Sequence, residues 1–344
     1  MAHTYLMKEV ALQAGVSVAT VDRVLHERPG VRLATRLRVQ QAFKELEKQR
    51  QQMGRQGRRF VVDLVMDAPA RFSGLVIDAL QAAAAQVQPA VFRVREHVAD
   101  TLNVTDLIDR LDAIARRGSH GVLLKAPNLP ETAAAIERLI ARGIPVITLV
   151  TDIAPSARTA YVGLDNAAAG RTAAYLMTQW LGEEHQKVLV SSSGPFFQGE
   201  EERIRAFTQA LVQWRPAWQL HVELDGKGLP ESTYRVVSQA LARSSGMTAV
   251  YSVGGANLAV ARAFAHAGQA CRVFIGHDLD ADNLGMLRER QLSAVLHHDL
   301  RHDLHSACLQ FMQAHGLKVT APPPTLSRPE VITPFNLPIS WTGR

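Results

Sequence analysis

Two cysteines in 344 residues, Cys271 and Cys308, leave no material for a disulfide framework, and each sits inside an apolar pattern that reads as core. Aromatic residues are sparse at 6%, while alanine is plentiful, a balance that favours packed helices over an all-β sandwich. No apolar run is long enough to span a bilayer, so no membrane partner is expected. Lys8 and Glu9 stand where an export signal would need its apolar stretch, which points to the cytoplasm. Enzymatic signatures are missing too. Asp67-Ala68-Pro69 follows the first strand in place of a glycine-rich nucleotide loop, and Ser191-Ser192-Ser193-Gly194 has no lysine after it. A Gly-x-Ser-x-Gly nucleophile turn is also absent. No cofactor and no catalytic residue are expected.

What is present is an uneven charge. Residues 1–60 hold 12 Lys/Arg against 5 Asp/Glu, so a surplus of seven positive charges sits in a chain whose formal total is only +6. A basic head on a neutral body is the footprint of a polyanion-binding module joined to something that handles another ligand.

The head carries a specific pattern. Apolar residues at Val10, Ala11 and Ala14 give way to Gly15, and Val16, Val21, Val24 and Leu25 resume the helical period. Gly15 takes the positive φ of a tight turn, Ser17 caps the next helix, and small Ala11 lets the two helices cross. In such a helix-turn-helix the second helix enters the major groove. Val18, Ala19 and Thr20 begin it. Arg23, one turn on, can bond a guanine edge in bidentate fashion and is expected to dominate readout. Ser17 and Thr20 are expected to touch phosphates. A third helix, from about Thr35 to Lys48, closes a small core with Val39, Ala42, Phe43 and Leu46.

The run from Met7 to Leu25, with Arg36, Val39 and Leu46, resembles the DNA-binding head of the lactose-repressor (LacI/GalR) family. Asp22 stands where that family usually has serine. The resemblance implies a hinge helix in the linker, residues 49–59, with an apolar side chain wedged into the minor groove. Here the family's Tyr-x-Pro-Asn run and Ala/Leu pair are missing. Met53 is the one apolar candidate for a wedge, and Arg55 is among the arginines placed to follow a narrow groove.

From Phe60 onward strand-like and helical runs alternate, which calls for parallel sheets covered on both faces. Two lobes fit the count better than one sheet. The fold expected is a small all-α helix-turn-helix head (1–48) and a two-lobed α/β domain (60–344). Ligands of open α/β sheets bind beyond the carboxyl ends of strands. Polar residues recur there: Asp67 and Phe72 after the first strand, Thr151 and Asp152 after the fourth, then Asn257, His277 and Asp278, and finally His297 and His298. Arg203 heads a helix after a glycine-containing loop. Such a set suits hydroxyl-rich ligands.

The resemblance covers this region as well. Gly143 to Thr148 with Asp152, Tyr161 to Arg171, Arg203 and Asp278 look like periplasmic sugar-binding proteins of type I and their repressor relatives, and His297 or His298 falls where an amide commonly sits. Ala206 replaces a usual glycine. A competing reading is a metal-dependent hydrolase or another two-lobed α/β enzyme acting on a sugar, because His298, His302 and His305 share a helix face. Arg301 beside them and the missing remainder of a ligand set argue against it, and no metal is expected. The reading adopted is a cytoplasmic transcription regulator, a repressor, that binds double-stranded operator DNA as a homodimer, with a tetramer as the alternative. Its effector is a sugar or polyol.

Overall fold

The computed structural model describes residues 7–55, 58–87, 90–182, 185–319 and 326–338, with the side chains of 47–55 outside the description. The chain divides into two compact units, Met1–Arg59 with Gln88–Val91, and Phe60–Val87 with Phe92–Arg344.

In the smaller unit three helices, α1 (Met7–Ala14), α2 (Val18–Leu25) and α3 (Leu33–Arg55), close on Val10, Ala11, Ala14, Val21, Val24, Val39 and Ala42. Gly15 turns the chain at φ 62°, and the Ser17 hydroxyl accepts from the Thr20 amide at 3.2 Å, so cap and turn work as their chemistry dictates. The third helix corrects one expectation. It runs to Arg55 rather than stopping near Lys48, because nothing from Gln49 to Gln52 breaks a helix and glutamine and arginine propagate one well.

The larger unit has two lobes. The first holds β1 (Arg59–Asp67), α4 (Ala70–Gln86), β2 (Val91–Ala99), α5 (Val104–Arg117), β3 (Val122–Lys125), α6 (Pro130–Ala141), β4 (Val146–Leu149) and β5 (Ala160–Val162), with sheet order β2-β1-β3-β4-β5. The second holds α7 (Asn166–Leu181), β6 (Lys187–Ser191), α8 (Gln198–Trp214), β7 (Gln219–Glu223), α9 (Pro230–Arg243), β8 (Ala249–Ser252), α10 (Asn257–His266), β9 (Val273–His277), α11 (Ala281–Arg288) and β10 (Ala294–His297). Then α12 (Leu300–Ala314) returns to pack on α4 and β5, and β11 (Glu330–Ile332) finishes the second sheet, ordered β11-β10-β9-β8-β6-β7. Only the β10–β11 pair among the registers described is antiparallel. The central strands are apolar without alternation because helices cover both faces, α7 and α8 on one side of the second sheet and α9 to α11 on the other. Cys271 packs against this second-sheet core and Cys308 is buried on α12, and burial pushes each thiol up to about 12, which keeps it protonated.

One carboxylate breaks the apolar run of β1. Asp63 is fully buried, and Arg95 reaches it with two bonds, Nε to Oδ1 at 2.9 Å and Nη2 to Oδ2 at 2.6 Å. Arg117 and His97 add contacts at 2.8 and 2.9 Å. Burial alone would raise this carboxyl's pKa, but the bonds from Arg95 and His97 outweigh it and hold it below the usual range.

The closest helix crossing is at Gly170 of α7, where an added Cβ would stand 2.3 Å from the Arg203 carbonyl oxygen on α8. Gly170→Ala gains roughly 1 kcal/mol of helix propensity but forces backbone apart at an overpacking cost of about 1–3 kcal/mol. The variant is therefore expected to unfold at lower urea concentration than the parent. A raised midpoint would show that α7 and α8 do not meet this closely.

Candidate functional site

Two surfaces carry the chemistry. On the small unit the first turn of α2 is open: Ser17, Val18 and Ala19 are exposed, Thr20 is partly so, and Arg23 is exposed without an ion-pair partner among the described residues. Thr20 Oγ1 lies 2.9 Å from Ser17 Oγ, so the two hydroxyls hold each other in the cap. Asp22 does not capture its neighbour Arg23. Its carboxylate bonds Arg28 Nη1 at 3.0 Å and meets His26 Nδ1 at 3.1 Å, so its charge is answered locally and Arg23 has no ion-pair partner among the described residues. The side chains of Met53 and Arg55 lie outside the described residues.

The second surface is a cleft between the lobes with about 750 Å³ of empty space, part of it continuous with solvent. It opens at the carboxyl ends of β1, β3 and β4 on one side and β6, β8 and β9 on the other, where parallel-sheet topology puts every strand-following loop. Of the residues expected from sequence, Asp67, Phe72, Thr151, Arg203, His277 and Asp278 line it. Phe72 offers the first lobe's aromatic wall. Thr151 Oγ1 accepts from the Gly199 amide of the second lobe at 3.0 Å, a contact that bridges the lobes. Arg203, 3% exposed, donates Nε to Asn166 Oδ1 at 2.7 Å and Nη1 to the Val253 carbonyl at 3.2 Å, which aims the guanidinium from the first turns of α8. Asp278 has φ 60° and no hydrogen-bond partner on its carboxylate among the described residues.

Four expected contacts are corrected. Asp152 does not line the cleft, because Arg158 binds both of its oxygens and Thr148 Oγ1 donates to it at 2.7 Å, so it pins the loop after β4. Asn257 is buried beneath the wall, its Nδ2 bonded to Asn283 Oδ1 at 2.8 Å. His297 belongs to a different cavity, beside Leu75 and Arg301, and accepts from the Leu279 amide at 3.3 Å on Nδ1. Burial holds its pKa below the ordinary value, in keeping with a neutral ring. His298 is fully buried one layer behind Asp278, with Nδ1 2.8 Å from Asp303 Oδ2 and Nε2 3.9 Å from Asp278 Oδ1.

Lys125, Arg71 and Glu200 line the cleft as well and escaped the sequence reading, whereas His277 did not. Lys125 ends β3, donates Nζ to the Asp67 carbonyl at 2.7 Å and stands 4.1 Å from the Phe197 ring centroid across the cleft. Burial lowers its pKa, and Glu200, Asp67 and Asp278 push it partly back. Its position at a strand end was the signal available. Arg71 spans the lobes, donating Nη1 to the Gly228 carbonyl at 2.9 Å with Nε 3.4 Å from Asp280 Oδ2. His277 lines the wall with Nε2 2.9 Å from the buried Tyr251 hydroxyl, and its Nδ1 is buried without a partner. Burial, then Arg203, holds His277 well below its usual pKa, so it is neutral. Among the described residues no group of three or more His, Cys, Asp and Glu gathers at metal-holding distance.

Comparison with known proteins gives this geometry a context. The family model for the periplasmic binding protein domain matches residues 64–314, and that for bacterial regulatory proteins of the lacI family matches residues 6–49. The HTH-type transcriptional repressor CytR of Escherichia coli (strain K12) is 30% identical over 215 residues, covering 60% of this chain and 58% of the relative. The chain thus spans a little over half the length of the curated relatives it matches. Among solved structures, the glucose-galactose binding protein GanP of Geobacillus stearothermophilus superposes with a TM-score of 0.71 at 20% identity, covering 82% of this chain and 99% of that one. A structure described as a LacI transcriptional regulator from Bacteroides fragilis gives 0.69 at 15% identity, covering 82% and 98%. At these identities the superpositions speak for the fold.

Asp280 makes the cleft's electrostatics measurable. Burial raises its carboxyl to about 6, against the opposing pull of the Asn283 amide and Arg71. Because the folded value lies above the unfolded one, ionising this group costs stability: the cost is absent below about pH 4 and complete above about pH 6, roughly 3 kcal/mol by linkage. Asp280→Asn keeps the cap on Asn283 and removes that cost. Urea midpoints of variant and parent should coincide near pH 4 and separate, with the variant higher, toward pH 7; parallel profiles would contradict the assignment.

Proposed function

The chain belongs to the family of periplasmic binding protein domains, and from that premise we propose that it is a DNA-binding transcriptional repressor controlled by a sugar or polyol held between its lobes. The observation that carries this reading is the presence in one chain of two independent recognition devices. One is an exposed, unpaired Arg23 on the second helix of a helix-turn-helix; the other is a cleft that offers hydrogen-bond donors and acceptors in alternation with an aromatic wall. The lacI-family match over residues 6–49 and the similarity to a named repressor support it.

In this reading Ser17, Val18, Ala19, Thr20 and Arg23 face operator DNA, with Met53 and Arg55 following them toward the minor groove. Val18 and Ala19 offer apolar contact to thymine methyls, and Arg23 reads guanine. Two copies of the chain are needed to fill a two-fold operator, since one short helix supplies too few phosphate and base contacts. The protein acts in the cytoplasm, by binding rather than turnover. Effector bridges Phe72 and Thr151 of the first lobe to Arg203 and Asp278 of the second. Its leverage on DNA is limited to the difference in its affinity for the two conformations.

Fluorescence anisotropy with a duplex from the chain's own promoter region, titrated with salt, tests the reading. Arg23→Ala should cut discrimination against a scrambled duplex by about 5–150-fold, equivalent to roughly 1–3 kcal/mol, with effector affinity unchanged. Equal discrimination by parent and variant would remove Arg23 from readout. A protein indifferent to duplex DNA at low salt, with and without ligand, would overturn the function itself.

A further inference from the structure

The charges inside the cleft are unequally answered. Glu200 spends both oxygens on its own loop: Oε2 accepts from Ser192 Oγ at 2.7 Å and the Ser193 amide at 2.8 Å, and Oε1 accepts from Ser193 Oγ. Asp67 takes the Leu102 amide at 3.2 Å, and Asp280 takes the Asn283 amide at 2.7 Å and lies against Arg71. Asp100 receives the Ala70 amide at 2.8 Å. These carboxylates are occupied by groups of the protein. The two innermost cations are not. Lys125 bonds a backbone carbonyl, and Arg203 bonds an amide oxygen and a backbone carbonyl, so neither has a carboxylate within ion-pair distance among the described residues. Glu200, Asp67 and Asp278 raise the lysine's pKa and Arg203 lowers it, so the lysine senses charges of both signs across the cleft. Two N–H groups of Lys125 and Nη2 of Arg203 are left over. The carboxylate left over is that of Asp278.

Resting on the effector reading above, we propose that the cleft is built for a sugar acid, a polyhydroxylated carboxylate, rather than a neutral sugar. The ligand's carboxylate sits between Lys125 and Arg203, and one of its hydroxyl groups donates to Asp278. Two buried cations, each bonded only to neutral acceptors among the described residues, leave donors unspent, and a single carboxylate can accept from both. Three donors suit the two oxygens of that group. A phosphate ester brings nearly twice the charge into a wall that already holds Asp67, Glu200 and Asp278, and like charges at that range oppose it.

The test is isothermal titration of the full chain with matched compounds: D-gluconate and D-galacturonate, their neutral counterparts D-glucose, D-galactose and D-glucitol, and glucose 6-phosphate. An acid should bind about 10–100-fold tighter than its neutral counterpart, the worth of one charge-assisted hydrogen-bonded pair. Its affinity should fall as salt rises. In Lys125→Met, which keeps the apolar stem against Phe197, the ratio of acid to neutral affinity should collapse to within a few-fold of unity. Should the variant fail to fold, the preference of the parent protein alone decides. Neutral sugars binding as well as or better than their acids, or the phosphate ester binding best, would overturn the sugar-acid assignment while leaving the effector reading intact. If no member of the set binds, the effector reading itself fails, and the inference with it.

Discussion

The larger unit depends on how its chain is tied where it passes between the lobes. Ser327 donates its amide to the Gly163 carbonyl at 2.9 Å and accepts the Asp165 amide at 2.8 Å, so two of the three crossing segments are joined by backbone. Its hydroxyl donates to Asp303 Oδ1, and Asp303 Oδ2 takes Nδ1 of His298 at 2.8 Å, which brings in the third segment. The bond to Asp303 makes Nδ1 the protonated nitrogen and turns Nε2 toward Asp278. A hinge needs segments that bend without losing one another. Here the knot lies one layer behind the cleft, with His298 Nε2 3.9 Å from Asp278 Oδ1, so the tie between the lobes stands directly beneath a cleft residue.

Buried charge is handled in two opposite ways in this chain. At Asp63 the protein supplies two arginines and a histidine to one carboxylate, and the cost of desolvation is offset within the fold. In the cleft, Lys125 and Arg203 are desolvated with neutral partners. An arrangement in which two desolvated cations lack a direct ion-pair partner among the described residues lowers stability, and proteins keep such arrangements where a ligand completes them. The contrast separates structure from site more clearly than burial does, since both regions are hidden from solvent.

Much of this was legible in the sequence. The spacing of Val10, Ala11, Gly15 and Ser17 dictates the turn and its cap because each residue type has one physical role there, and the alternation after Phe60 dictates parallel sheets because strand runs such as Val146–Leu149 lack a polar face. The strand-end rule located the cleft and recovered Asp67, Phe72, Thr151, Arg203, His277 and Asp278. It failed at Asp152, whose partner Arg158 is a loop residue with no periodicity to announce it. His297 and His298 could not be told apart, since adjacent residues at a strand end face opposite ways and only register decides which one looks inward. Lys125 was missed because a lysine reads as solvated until its neighbours are known. The end of α3 was placed early because a run of glutamine and arginine reads equally as linker or helix.

How the cleft could act on anything outside itself follows from which lobe owns each contact. Lys125 and Phe72 belong to the first lobe, while Phe197, Arg203 and Asp278 belong to the second. A ligand touching both sets gains its full binding energy only when the lobes are together. Contacts made without ligand, Arg71 to Gly228 and Lys125 over Phe197, already favour that closed arrangement. The ligand therefore does not create closure; it adds its differential affinity to an equilibrium these contacts have biased.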